Sequence, residues 1–267
     1  MIRKIGIDAG GSLVKVSYQE QGKLHIKTFS NLELEKVAQW LVILAPDAQL
    51  VITGGKAGQL KNLLSNESYI VEEFHAVTNG TRYLLVQEMG ILHEDFILVN
   101  IGTGTSIFHV KSDSFERILG SGIGGGTLMG LGHLITGKND FSSYTAMAEI
   151  GDNRNSDLLV RDIYAPNEPP IFGDLTAANL GKVHLNEAAN ENDYLASVMQ
   201  LIGETIILLA GQAAMLKQVS RIVFVGSTLV NNIALKNVLS RFKDTMSYEP
   251  IFLEKGSHAG AVGALID

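Results

Sequence analysis

The sequence predicts an α/β protein made of two similar halves with a ligand cleft between them. Three observations predict it. Short apolar runs of strand character alternate with apolar residues at helical spacing along most of the chain. Two strand–glycine turn–strand units recur, one at Asp8-Ala9-Gly10-Gly11-Ser12 and one at Gly102-Thr103-Gly104-Thr105-Ser106. The 267 residues are 46% hydrophobic and 18% charged, which is enough apolar material for one large or two medium cores.

The elements follow in order. Residues 4–8, 13–19 and 24–29 read as three strands, with Gly10-Gly11 and Gln21-Gly22 as the turns between them. In 32–45, Leu34, Val37, Ala38, Leu41, Leu44 and Ala45 recur at helical spacing. A buried strand at 49–53, a short helix at 57–64 and a strand at 69–71 come next. Glu72 and Glu73 then stand at the strand's end, before a helix from about 76 to 89. An apolar strand at 95–100 runs into the second glycine turn and a strand at 107–111. Arg117 precedes the glycine run 120–126, and a helix is expected near Thr127. The polar stretch 140–181 reads as short helices and loops. Residues 192–216 form a long helix, 221–226 a strand, 231–242 a helix, 247–253 a strand and 259–265 a terminal helix. The halves are expected to divide at 1–95 and 96–267, with the last helix able to pack back on the N-terminal half.

Bulk composition narrows the function. A net charge of −7 argues against a broad nucleic-acid surface. Cysteine is absent, which excludes disulfides, thiolate nucleophiles and cysteine metal sites and suits a reducing compartment. The N-terminus has no signal-peptide pattern. The most apolar stretch, 198–215, is interrupted by Gly203, Glu204, Gly211 and Gln212 and reads as a buried helix. The seven histidines show no zinc spacing.

Each chemical candidate has a plain structural alternative. The two glycine turns could cradle phosphates through backbone N–H groups, or be ordinary hairpins. Asp8 could hold a magnesium ion through water, with Ser12 and Lys15 adding a donor and a cation. The run ending at Gly126 could open a helix facing an anion, or be a hinge. Gly226-Ser227-Thr228 could close over a nucleoside, or be a routine turn. Strand alternation would send Glu72 and Glu73 to opposite faces, so at most one serves as a base. Arg117 could grip a carboxylate, or lie on the surface. Trp40 reads as packing, and Asp152, Asp157 and Asp174 as turn or cap residues more than metal ligands.

Taken together, these pieces resemble the actin and sugar-kinase superfamily, whose two domains share a ribonuclease H-like fold around an interdomain cleft. Within it, Asp8 through Lys15, Glu73-Phe74-x-Ala76, Asn100-Ile101-Gly102-Thr103-Gly104-Thr105-Ser106, Arg117, Gly124-Gly125-Gly126-Thr127, Gly173 through Asn179 and Gly226-Ser227-x-x-x-Asn231-Asn232 are similar to the type II pantothenate kinases. The compact bacterial form is the closer likeness. The resemblance covers essentially the whole chain. It implies transfer of phosphate from ATP, with Mg²⁺, to the 4′-hydroxyl of pantothenate, the first step toward coenzyme A, by a cytoplasmic homodimer. It implies Glu73 as general base, with Ser106 and Arg117 holding pantothenate. It implies a nucleotide site lined by Asp8, Ala9, Gly10, Gly11, Ser12, Leu13, Val14, Lys15, Thr103, Gly125, Gly126, Thr127, Leu128, Met129, Phe141 and Ser227, with Asp8 orienting the metal through water. A kinase for another small alcohol, such as an amino sugar, and a non-catalytic actin-like nucleotide binder are the rival readings. Three positions depart from the pattern: Ser12 replaces the usual threonine, His75 a frequent aspartate, and Phe141 a tyrosine.

Overall fold

The computed structural model describes residues 2–91 and 95–267; Met1, which opens the first predicted stretch, lies outside them. Strands β1 (Lys4–Ala9), β2 (Leu13–Glu20) and β3 (Lys23–Ser30) form an antiparallel meander. Helix α1 (Leu34–Leu44) leads to β4 (Gln49–Thr53), which pairs parallel with β1. Helix α2 (Ala57–Lys61) leads to β5 (Ser68–Ile70), parallel to β4. The sheet order is β3-β2-β1-β4-β5.

Helix α3 (Glu73–Met89) follows, and then the plan repeats. Strands β6 (Phe96–Ile101), β7 (Thr105–Val110) and β8 (Phe115–Ser121) form a second meander. Helices α4 (Gly125–Thr136) and α5 (Phe141–Ile150) come next, followed by a small excursion of β9 (Leu158–Leu159), α6 (Val160–Tyr164) and β10 (Thr176–Ala178). Long helix α7 (Glu191–Lys217) returns the chain to β11 (Arg221–Val225), which lies parallel to β6. Helix α8 (Ile233–Arg241), β12 (Glu249–Phe252), parallel to β11, and α9 (Ala259–Ile266) complete the chain. The second sheet runs β12-β11-β6-β7-β8, the same order and sense as the first. The recurrence of two glycine-turn hairpins is therefore a recurrence of two whole sheets.

Two differences from the sequence reading matter. Helix α3 begins at Glu73, not near residue 76. Strand β8 was not foreseen, because Phe115-Glu116-Arg117 breaks the apolar alternation that marks an edge strand.

Three cores hold the layers together. Ile5, Ile7, Val14, Val16 and Leu50 pack against Val37 and Leu41 of α1. On the outer face of the second sheet, Ile97, Val99, Ile101 and Ile107 pack against Val198, Ile202 and Ile206 of α7. Helix α7 is long and apolar enough to cross a membrane by composition, with 61% of its most apolar window buried. Here it forms the second core. Between the sheets, Leu98, Phe108 and Val223 meet Val77, Leu84 and Leu85 of α3 and Val262 of α9.

Helices α3 and α9 cross in that middle layer, and their contact is symmetric. A Cβ on Gly80 would press on the Ala259 carbonyl, and one on Gly263 on the Ala76 carbonyl. Each helix thus offers an Ala and a Gly four residues apart, on one face, so the backbones touch. Helix α9 also lies on the first sheet, where Ser17 Oγ donates to the Ala261 carbonyl at 2.8 Å. The chain's last helix is thereby built into its first half.

Candidate active site

A cleft of about 960 Å³ opens at the ends of β1 and β6, between the two sheets. Both glycine turns face it. Gly10 N–H closes the first on the Leu13 carbonyl at 3.0 Å, and Gly102 N–H closes the second on the Gly104 carbonyl at 2.9 Å. The Oγ of Ser12 and the Oγ1 of Thr103, ninety-one residues apart, stand 3.5 Å from each other. The two turns therefore form one cradle.

Asp8 sits on the floor of the first turn. Its carboxylate lies 3.4 Å from the Lys15 ammonium, both side chains being more than four-fifths buried. Gly54 and Gly260 crowd that carboxylate from either side, at 2.7 Å and 3.0 Å from where their Cβ atoms would be. Ala9 and Val14 turn their side chains into the first core, so only their backbone can reach a ligand. Gly10, Gly11, Ser12 and Leu13 line the cleft directly.

The glycine run after β8 does something other than expected. Gly125 N–H donates to the Gly102 carbonyl at 2.9 Å and Gly126 N–H to the Thr103 carbonyl at 2.8 Å. These first two donors of α4 brace the second turn and are not free for an anion. A third support is Thr228, whose hydroxyl donates to the same Gly102 carbonyl at 2.9 Å. Thr127 Oγ1 closes the start of α4 by donating to the Gly122 carbonyl. Leu128 is fully buried in the second core. Neither of those side chains lines the cleft, whereas Gly125, Gly126, Met129, Phe141 and Ser227 do.

Glu72 and Glu73 divide the work by helix geometry, not by strand alternation. Glu72 caps α3, its carboxylate accepting from Phe74 N–H at 2.9 Å and His75 N–H at 2.6 Å. That leaves Glu73, the first helical residue, to face the cleft. Partial burial, then the carboxylates of Asp8 and Glu72, push the Glu73 carboxyl above its ordinary 4.5, while Lys15 pulls it down. The side chain still has open access to solvent through the cleft mouth. His75 points elsewhere, 2.8 Å from Asn79 Nδ2 and 3.6 Å from the Asp267 carboxylate.

Arg117 reaches the cleft because β8 contains a bulge. Ile107 pairs with Leu119 but Phe108 pairs with Arg117, so one residue is skipped. The skip turns Arg117 onto the face it would otherwise miss. Its guanidinium carbon stands 5.4 Å from the ring centre of Phe74, the residue after Glu73. Ser106 lines the same wall.

The predicted turn aspartates stay structural. Asp152 pairs with Arg154, Asp174 with Arg161, and buried Asp157 accepts from Leu180 N–H and Asn153 Nδ2. Trp40 packs on Phe29 under Lys27. Among the described residues no three His, Cys, Asp or Glu side chains cluster as a metal cage.

Sequence reasoning gives no role to Asn100, Ser257 and Gly260, which also line the cleft. Only Asn100 carried a signal: it is the one polar residue of an apolar strand and stands two positions before a glycine turn, as Asp8 does.

Comparison with known proteins identifies the family. The model of the Fumble family matches residues 4–267. A type II pantothenate kinase of Oceanobacillus iheyensis is 49% identical over 265 residues, covering 99% of this chain and 99% of that protein. One from Bacillus anthracis is 41% identical over 268 residues, covering 98% and 96%. Among solved structures, the activator of 2-hydroxyisocaproyl-CoA dehydratase from Clostridium difficile, with bound ADPNP, superposes with a TM-score of 0.67 at 17% identity. It is matched over 100% of this chain and 93% of its own. A ROK family glucokinase from Streptomyces griseus, in complex with glucose and AMPPNP, gives 0.57 at 11% identity, over 100% and 98%. These structures share the actin and sugar-kinase fold. The full-length match and the level of identity establish that the chain belongs to the Fumble family, alongside the type II pantothenate kinases.

Proposed function

We propose that this protein is an ATP-dependent pantothenate kinase that phosphorylates the 4′-hydroxyl of pantothenate. The observation that carries the reading is the 3.5 Å approach of Ser12 and Thr103, which makes one phosphate cradle from two turns, with Glu73 facing the same cleft. Its relatives' shared name supplies the acceptor.

The backbone of the two turns, with the Ser12 and Thr103 hydroxyls and Lys15, would hold the triphosphate. Phe141, Met129 and Ser227 would line the nucleoside end. Glu73 would accept the proton of the 4′-hydroxyl as its oxygen bonds to the γ-phosphorus. The bond from that phosphorus to the β–γ bridging oxygen breaks, and ADP leaves. The proton then passes from Glu73 to solvent. Ser106 and Arg117 would hold pantothenate, the arginine meeting its carboxylate. Positioning and charge stabilisation do most of the work in such transfers.

The donors on the cleft floor suit magnesium: one carboxylate, Asp8, and the hydroxyls of Ser12 and Thr103, all hard oxygens. Bound with the nucleotide, the ion would neutralise charge on the β- and γ-phosphates. Asp8 would hold it through water.

We further place the halves at 1–95 and 96–267 and the protein in the cytoplasm as a homodimer, without nucleic-acid or membrane partners. Exposed Leu208, Met215 and Leu216 on α7 favour a paired helix face, and light scattering tests it.

The decisive assay is ADP release from ATP and Mg²⁺ with and without pantothenate. Glu73→Gln should lower kcat by about a hundredfold or more while leaving binding of an ATP analogue intact. Turnover of an amino sugar in place of pantothenate would redirect the reading, and nucleotide binding without acceptor-dependent release would end it.

A further inference from the structure

Strand β6 reads Phe-Ile-Leu-Val-Asn-Ile, and five of its six residues are buried apolar side chains. Asn100 is the exception, and its position is informative. Leu98 and Phe108 belong to the core between the sheets, while Val99, Ile101 and Ile107 belong to the outer one. Alternation therefore puts Asn100 and Ser106 on the face toward α3. Asn100 pairs with Ser106 across β6–β7, and Ser106 with Gly120 across β7–β8. The next pair outward on that face is Phe108 with Arg117. All four of Asn100, Ser106, Gly120 and Arg117 line the cleft.

The two halves offer an internal comparison. Asp8 and Asn100 each stand two residues before the first glycine of their turn, on equivalent central strands. Asp8 is opposite Lys15, and Asn100 is opposite Ser106. The first half thus presents a charged pair at this level and the second a neutral one. The Asp8 carboxylate has its ammonium partner, whereas the Asn100 carboxamide is half-buried and has no side-chain hydrogen bond among the described residues. A carboxamide placed on a central strand and left unpaired by the fold is a group awaiting a partner from the cleft.

We propose that Asn100 is a further acceptor-binding residue, hydrogen-bonding a neutral polar group, a hydroxyl or amide, of the molecule to be phosphorylated. The inference rests on the kinase reading above. Ser106 and Asn100 form a neutral row in the cleft that Glu73 also faces. Arg117, one pair further out, is left for the acceptor's anionic end.

The test uses the full chain and three variants at one position. Asn100→Leu keeps size and removes both donor and acceptor; Asn100→Ser keeps a hydroxyl; Asn100→Ala controls for volume. Initial rates are measured with ATP and pantothenate varied separately, and Tm is recorded for each protein. The expected result is a fall of about fivefold to tenfold in kcat/KM for pantothenate in the Leu and Ala variants, partly regained in Ser. The KM for ATP should stay within twofold, and Tm should not fall, because no internal hydrogen bond is lost. The inference is overturned if kcat/KM for pantothenate is unchanged, or if both substrates suffer together with a lowered Tm, the mark of a structural role. A wild-type protein without pantothenate-dependent ADP release would remove the kinase reading and this inference with it. Normal wild-type turnover with indifferent variants would remove the inference alone.

Discussion

Replacing Gly263 by alanine tests whether the crossing of α3 and α9 sets the geometry of the cleft. The added Cβ would lie 2.9 Å from Ala76 Cα and closer still to its carbonyl. Two effects compete. Alanine favours a helix over glycine by about 1 kcal/mol. Overpacking a core costs about 1–3 kcal/mol, and here the obstacle is backbone, which cannot rotate away. The mutual contact of Gly80 with Gly263 N, 2.7 Å from a built Cβ, leaves no room on the opposite side. A backbone obstacle belongs at the top of that range, about 3 kcal/mol, so clash should win by about 2 kcal/mol, lowering Tm by roughly 4–8 °C in a chain of this size. Function should fall further than stability suggests. Helix α3 carries Glu73, and Ala259 and Gly260 of α9 wall the cleft beside Asp8. A displacement of about 1 Å between a base and its substrate can cost about a hundredfold in rate. Calorimetry and steady-state kcat are the measurements, with Gly58→Ala as control. Gly58 lies in α2 with open space around a built Cβ, so alanine there should raise Tm by roughly 2–4 °C. If Gly263→Ala melts like Gly58→Ala, the packing argument is wrong; if it melts lower with an unaltered kcat, the link to the cleft is wrong.

Four further outcomes are expected. Because burial and then the Asp8 and Glu72 carboxylates raise Glu73, the acid limb of kcat/KM should lie above pH 4.5, and Glu72→Gln, which removes a charge and keeps one of the two cap hydrogen bonds, should move it down. The same shift means that the folded chain binds this proton more tightly than the unfolded one. Stability is then lost as pH rises through the Glu73 titration, and Glu73→Gln should melt no lower than wild type at neutral pH. His258 behaves oppositely. Burial first, then Lys15, push its imidazole from 6.5 down to about 4, against the Lys27 carbonyl and Asp8. The unfolded chain therefore takes up a proton before the folded one. Stability should fall as pH drops from 6.5 toward 4, by about 3 kcal/mol in full, and His258→Gln should flatten Tm across that window. Finally, a Cβ on Gly120 would overlap the Arg117 guanidinium, so Gly120→Ala should raise the pantothenate KM about tenfold and spare that of ATP; an unchanged acceptor KM would separate Arg117 from the acceptor.

What the sequence made legible is what rests on local chemistry. The two turns were visible because Gly10-Gly11 and Gly102-x-Gly104 each follow an apolar strand. The long helix was visible because α7 carries its apolar residues without a charged run. One side of the cleft is built from the backbone of those turns, so the turns alone locate it. The wall around Arg117 is harder to read. Arg117 enters the cleft through one skipped residue in β8, and a bulge leaves no reliable mark in composition. Strand alternation is the wrong frame for Glu72 and Glu73, which read as a strand end because the helix they open has a weak apolar stripe at its start. Their roles follow from which of them caps the helix: Glu72 is the cap, and Glu73 is the acid that opens the first turn, where acidic residues are favoured.

The near-symmetry of the halves explains why the cleft needs its departures from symmetry. Equivalent strands bring Asp8 and Asn100 to equivalent depths, and equivalent helices bring α3 and α9 into contact at matching Ala and Gly positions. An aspartate at both strand ends would put three carboxylates around the transferring group once Glu73 is counted, with Lys15 the one ammonium opposite them. Like charges would then drive Glu73 toward its protonated form, in which it cannot accept a proton. A neutral Asn100 leaves the carboxylates of the cleft floor on the Asp8 side. The fold supplies two similar glycine turns that meet in one cradle, and the strand residue two positions before each turn differs, Asp8 in one and Asn100 in the other.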